Sequence, residues 1–261
     1  IEDIMETRES AAIHGYTAAA GDTAVRQGLA DFMNQTYDAQ VRADNFYMTC
    51  GAAASLTISL KALVESPDDE IILIAPFFPE YTVFVQDANA KSVVLPPDTE
   101  HFQISLDALE KAITPHTRAV IINSPNNPSG VVYSADTYEK LAALLTRKSQ
   151  EIGHAIYIIS DEPYREIIYD GLPILYVPKF YKDTIICYSY SKSLSLPGER
   201  IGYVLVPDCA ADAKEVYTAV CGAGRSMGFV CAPHLFQDVV LKCLGQTSDM
   251  NIYDENRKLL Y

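Results

Sequence analysis

A lysine set among serines, with an arginine eight residues on, is the group in this sequence best able to do covalent chemistry. The stretch reads Ser189-Tyr190-Ser191-Lys192-Ser193, followed by Gly198-Glu199-Arg200-Ile201-Gly202. A lysine held out of water near other cations loses its proton more readily and becomes a nucleophile toward a carbonyl. The hydroxyls and the guanidinium beside it form an anion site. The plain alternative is a surface lysine in a Ser-rich loop. Apolar runs on both sides, 184–189 and 201–206, argue against it.

Three further clusters carry polar groups of the right kinds. Thr49-Cys50-Gly51-Ala52-Ala53-Ala54-Ser55 is a small-residue turn entering a helical stretch. Small residues let backbone N–H groups approach an anion, and a helix N-terminus favours negative charge. Taken alone it reads more readily as a tight turn before a buried helix, because it has neither a Walker loop nor G-x-G-x-x-G. Asn123-Ser124-Pro125-Asn126-Asn127-Pro128-Ser129-Gly130 directly follows an apolar run. Two prolines hold the preceding residues extended, so an Asn amide there is fixed in place; ordinary turn chemistry explains the same residues about as well. Ser160-Asp161-Glu162-Pro163-Tyr164-Arg165-Glu166 puts a carboxylate at the end of another apolar run. A buried carboxylate is costly unless it is paired, and a ligand cation is one such partner; the alternative is a cap on the next turn. Together the four clusters supply an amine, an anion cradle, a buried carboxylate, and amide and phenol donors. That is the inventory for holding a phosphorylated pyridine aldehyde as a Schiff base.

The elements that position these groups alternate along the chain. Short apolar, β-branched runs at 70–75, 92–95, 119–123, 155–160, 184–189 and 201–206 read as buried strands. Between and around them, 22–37, 52–65, 81–88, 105–113, 136–149, 210–220 and 233–244 have helical spacing, with Asp22 as a cap for the first. Strands alternating with helices predict βαβ units: an α/β fold with a mainly parallel sheet between two helical layers. In such sheets ligands sit beyond the carboxyl ends of the strands, where these clusters fall.

Composition limits the alternatives. The 261 residues carry 20 Lys plus Arg against 34 Asp plus Glu, a net charge of −14, so a nucleic-acid or anionic-membrane partner is not expected. The longest apolar run, 71–78, is broken by Pro76 and is far short of a membrane span. None of the six cysteines lies in a C-x-x-C pair and the five histidines are scattered, so no metal site is expected. Reduced thiols and a cytoplasmic location are the default for such a chain. The chain opens at Ile1 and stops within a helix-like stretch, 249–261, and both ends read as interrupted.

S-P-N-N-P-S-G, D-E-P-Y and S-Y-S-K-S-(x)6-R-I-G, in that order, resemble the class I/II aminotransferases, pyridoxal-phosphate enzymes of fold type I. The resemblance runs from Tyr16 to Tyr261, and A-P-F-F-P-E-Y is most similar to bacterial aspartate or broad-range members. It implies that Lys192 forms the Schiff base with pyridoxal 5'-phosphate and that Asp161 pairs with the pyridine nitrogen. It implies that Asn127 and Tyr164 hydrogen-bond the ring's phenolic oxygen, and that Phe78, or failing it Phe77, stacks on the ring. Gly51, Ala52 and Ala53 would offer backbone amides to the phosphate, with Ser189, Ser191 and Arg200 completing the cradle. Tyr16 would reach the phosphate of a neighbouring subunit in a homodimer. The implied organisation is a remnant of an N-terminal segment at 1–15, a cofactor-binding large domain at 16–245, and the start of an interdomain helix at 246–261. A small domain bearing the substrate-carboxylate arginine would lie beyond.

The implied activity is transfer of an amino group between an L-amino acid, aspartate or a broad or aromatic range, and a 2-oxo acid such as 2-oxoglutarate. Two other readings share the cofactor residues: a C–S β-lyase or decarboxylase on the same fold, and the cofactor-binding sensor domain of a transcription regulator.

Overall fold

Residues 1–260 are described by the structure, a computed structural model; Tyr261, the last residue of the expected 246–261 segment, lies outside them. Seven strands form one sheet. They are β1 (Phe46–Thr49), β2 (Glu70–Ile74), β3 (Lys91–Leu95), β4 (Thr117–Asn123), β5 (Tyr157–Asp161), β6 (Thr184–Ser189) and β7 (Gly202–Leu205), in the order β1-β7-β6-β5-β4-β2-β3. β2 to β6 are mutually parallel, while β7 runs antiparallel to both β6 and β1. β1 therefore points the same way as the parallel strands, and its carboxyl end lies at the same edge.

The helices are α1 (Glu2–Thr7), α2 (Ser10–His14), α3 (Thr23–Tyr37), α4 (Ala52–Leu63), α5 (Glu80–Asp87), α6 (Leu106–Ala112), α7 (Ala135–Ile152), α8 (Tyr190–Ser193), α9 (Ala213–Ser226), α10 (His234–Lys242) and α11 (Met250–Leu260). Alternation along the strands sorts the core into two faces. Ile71, Leu73, Ile121, Ile159 and Cys187 pack against α4, α5 and α9 on one side. Ile72, Val120, Ile122 and Ile158 meet α6 and α7 on the other, where Phe46, Ile186, Tyr203 and Leu205 also meet α3 and α10. Strands covered on both faces read as continuous apolar runs, which is why 70–75, 119–123 and 184–189 are so legible. Asp22 caps α3 as expected, accepting from the amides of Ala24 and Val25.

Two differences from the sequence reading have physical causes. The 92–95 run is not a buried strand: β3 is an edge, with Val94 51% exposed, because sheet order rather than local composition decides what covers a strand. β1 escaped notice because four residues leave too short a pattern to read. Residues 2–14 form two short helices whose Ile4 and Ile13 pack on Val239 of α10.

Candidate cofactor site

The carboxyl ends of β1, β2, β4, β5 and β6 meet at one edge, and a cavity of about 240 Å³ opens there. Ala52, Ala53, Phe78, Asn127, Asp161, Tyr164, Ser189, Ser191, Lys192 and Arg200 line it, so residues from four separated sequence clusters come together as the strand-end rule requires.

Asp161 ends β5 in register between Asn123 of β4 and Cys187 of β6, and is 5% exposed. Its Oδ2 accepts a 2.5 Å hydrogen bond from the Tyr81 hydroxyl, while its buried Oδ1 has no partner. Burial pushes the carboxyl up to about 7; the Tyr81 hydrogen bond opposes that rise and the charge of Glu162 adds to it. A buried acceptor left open on a carboxylate is a place for a cationic donor.

Asn123 ties this point to the neighbouring loop. Its amide nitrogen donates to the Asp161 carbonyl at 2.8 Å, and its Oδ1 accepts from the backbone N–H of Asn127 at 2.6 Å. Asn126 closes the same loop by accepting from Ser129 and donating to the carbonyl of Pro76. The side chain of Asn127 is thereby held at the cavity.

The turn from β1 into α4 builds the anion cradle. Gly51 has φ +89°, and the first amides of α4 have no side-chain cap. They are thus free for an anion at a helix N-terminus. A Cβ on Gly51 would come within 2.7 Å of Nη2 of Arg200, so the glycine lets the guanidinium lie against the turn. Arg200 is itself held by a 2.8 Å bond from Nη1 to the carbonyl of Pro197. Ser189 caps α8 through the amide of Ser191, and the two hydroxyls lie 2.7 Å apart. α8 carries Lys192, whose Nζ is 5.9 Å from the centre of the Tyr164 ring. In the isolated chain Lys192 is exposed at the cavity mouth rather than enclosed. Phe78 is the phenylalanine on the cavity; Phe77 instead stacks on Tyr81, at 6.1 Å and 12°. Tyr16 is 86% exposed and is not part of the cavity of its own chain.

Two features were not read from the sequence. Tyr81 looks like a core aromatic on α5, and nothing local points to a partner eighty residues away. Glu162 and Arg165 form a buried ion pair beneath the site, with Ser160 donating to Glu162 and Arg165 lying 4.5 Å over the Tyr188 ring. A larger cleft of about 680 Å³ lies at the opposite ends of β5 and β6, beside Thr146, Tyr181 and Lys182; none of the four motifs borders it. Among the described residues no cluster of three His, Cys, Asp or Glu side chains could hold a metal.

An amine, a guanidinium, uncapped helix amides and an open buried carboxylate are thus gathered around one cavity. The chain belongs to the family described as aminotransferase class I and II, which it matches over residues 1–260. Members of that family use pyridoxal 5'-phosphate. The chain is 31% identical over 197 residues to a probable N-acetyl-LL-diaminopimelate aminotransferase of Bacillus subtilis, covering 75% of this chain and 48% of that protein. It is 32% identical over 201 residues to an aspartate aminotransferase of Thermotoga maritima, covering 76% and 52%. A crystal structure of an amino transferase from Eubacterium rectale superposes with a TM-score of 0.98 at 60% identity, over 100% of this chain and 65% of that one. The chain spans about half the length of the curated relatives it matches.

Proposed function

We propose that the protein is a pyridoxal-phosphate-dependent aminotransferase that moves an amino group between an L-amino acid and a 2-oxo acid. The single observation that carries this reading is the open, buried Oδ1 of Asp161 on the same cavity as the Lys192 amine and the Arg200 guanidinium. The residues present fit the cofactor, because the orphaned acceptor, the uncapped amides after Gly51 and the amine match its pyridine nitrogen, phosphate and aldehyde in kind.

When bound, the cofactor supplies an electron sink for the charge left on the substrate's Cα. The chain's own groups do the rest. Asp161 holds a proton on the ring nitrogen. Asn127 and Tyr164 donate to the phenolic oxygen. Ala52, Ala53, Ser189, Ser191 and Arg200 hold the phosphate, with Gly51 making room, and Phe78 covers the ring. Lys192 would hold the aldehyde, and its amine would take and return the proton at the substrate's Cα. Tyr16, exposed on its own chain, is suited to serve the phosphate site of a second copy in a homodimer.

Residues 16–245 act in this reading as the cofactor-binding domain. No helix among the described residues is long and apolar enough to cross a membrane; a cytoplasmic enzyme of amino-acid metabolism is the location we propose.

The test is keto-acid production from a panel of amino acids with 2-oxoglutarate as acceptor, aspartate and the aromatic amino acids first. Matched formation of glutamate and the cognate oxo acid supports the reading. Release of pyruvate with ammonia, of sulfide, or of carbon dioxide without an acceptor replaces it with lyase chemistry.

A further inference from the structure

Tyr81 is placed to govern the carboxylate on which the proposed site depends. Its hydroxyl is buried, the residue being 2% exposed, and it meets Oδ2 of Asp161 at 2.5 Å. Phe77 stacks on its ring, and Phe78, which lines the cavity, meets it edge-on at 5.8 Å and 78°. The start of α5 thus fixes in one packed group both the ring that faces the cofactor cavity and the donor that fixes Asp161.

We propose that Tyr81 is a positioning residue for the cofactor: its hydroxyl binds one oxygen of Asp161, favours the ionised carboxylate and fixes its orientation, and leaves Oδ1 as the acceptor that would hold a proton on the pyridine nitrogen. This rests on the assignment of Asp161 to that nitrogen. Burial and the Asp161 charge push the Tyr81 phenol well above its usual range, so it donates and does not compete for the proton. The other titratable groups close to Asp161 are Glu162, whose charge favours the neutral acid, and Tyr164 and Cys187, which the Tyr81 phenol also senses. Of these, Tyr81 is the one that donates to the Asp161 carboxylate and favours its charged form. Without it the Asp161 carboxylate would be more basic and would compete for the proton that it should leave on the ring nitrogen.

Tyr81→Phe isolates this effect, because the ring and its contacts with Phe77 and Phe78 remain and the O–H is removed. The full protein is loaded with cofactor labelled with 15N in the ring, and the ring-nitrogen resonance is followed from pH 6 to 9 in wild type, Tyr81→Phe and Asp161→Asn. The cofactor dissociation constant is measured alongside. Wild type is expected to keep the protonated resonance throughout. Tyr81→Phe is expected to move toward the unprotonated position and to bind the cofactor about tenfold more weakly, as befits one lost hydrogen bond to a charged group. In the cofactor-free protein, 13C carboxyl titration of Asp161 should move up by about one pH unit in Tyr81→Phe. A wild-type resonance and titration in Tyr81→Phe, with protonation lost in Asp161→Asn, overturns the role of Tyr81 and leaves the proposed function standing. Protonation retained in Asp161→Asn overturns the Asp161 assignment itself.

Discussion

Asp161→Asn separates what the site needs from what the fold prefers. In the folded, cofactor-free protein burial holds the Asp161 carboxyl at about 7, against 3.8 for an ordinary aspartate. That is roughly three units, or about 4 kcal/mol at 1.36 kcal/mol per unit, an upper figure for a fully buried group. The sign follows from proton counts. Between pH 4 and 7 the unfolded carboxyl has released its proton and the folded one has not, so the unfolded state binds fewer protons and stability falls as pH rises. An Asn at this position can still accept from Tyr81, and its amide nitrogen replaces the unpartnered Oδ1. The variant therefore escapes the loss, while every other group titrates alike in both proteins and cancels in the difference.

The assay is urea unfolding of cofactor-free wild type and Asp161→Asn at intervals from pH 4.5 to 8.5. The variant's advantage should grow by about 3 kcal/mol across that range and level off above pH 7. Saturating cofactor should reverse the ranking, because the wild type gains the binding free energy of an ion pair that the amide cannot make. A constant difference across the pH range would mean that Asp161 titrates normally in the folded protein, and the account of a strained, waiting carboxylate would be wrong.

Other perturbations test the remaining parts of the site. Lys192→Ala should abolish covalent fixation of the cofactor by borohydride, read by peptide mapping, while changing stability by less than about 0.5 kcal/mol because the side chain is exposed. Gly51→Ala should raise the cofactor dissociation constant about tenfold or more in a direct titration. Its Cβ meets Arg200 at 2.7 Å and its φ of +89° becomes a strain of about 1–3 kcal/mol. Arg165→Met should cost about 3–5 kcal/mol in urea unfolding, because Glu162 is left charged and buried. Adding Glu162→Gln should recover part of that loss; a double variant no more stable than Arg165→Met would show that the pair is not the cause.

The residues to which the proposed chemistry falls were legible because each is polar where its surroundings are apolar. Asp161, Asn127 and Ser189 each close or follow a run of strand residues, and a charged or amide group at such a place needs a partner. The helix carrying Lys192 was not legible, since four residues with one serine cap have no period. Tyr81 and the Glu162–Arg165 pair escaped for a different reason. The first hides among core aromatics, and the second lies inside a quoted motif whose residues give no hint that they turn to each other under the sheet. The edge position of β3 depends on sheet order, which no local pattern encodes.

The antiparallel return of β7 explains why the cradle closes. Across the sheet Thr49 of β1, Gly202 of β7 and Ser189 of β6 lie side by side in register. The turn after Thr49 therefore arrives next to Ser189, and Arg200, two residues before Gly202, arrives between them. Gly202 is needed for this approach. A Cβ there would come within 2.2 Å of the Tyr188 carbonyl and 3.0 Å of Gly51 Cα. The final glycine of R-I-G is thus a packing requirement rather than a contact with a ligand. It brings the strand carrying the lysine's serine cap, the strand leading into the uncapped helix and the arginine close enough to act on one anion. A five-stranded parallel sheet alone would supply Asp161, Asn127 and the Ser189–Ser191 pair; the two added strands at its edge bring the α4 amides and Arg200 that complete the proposed anion site.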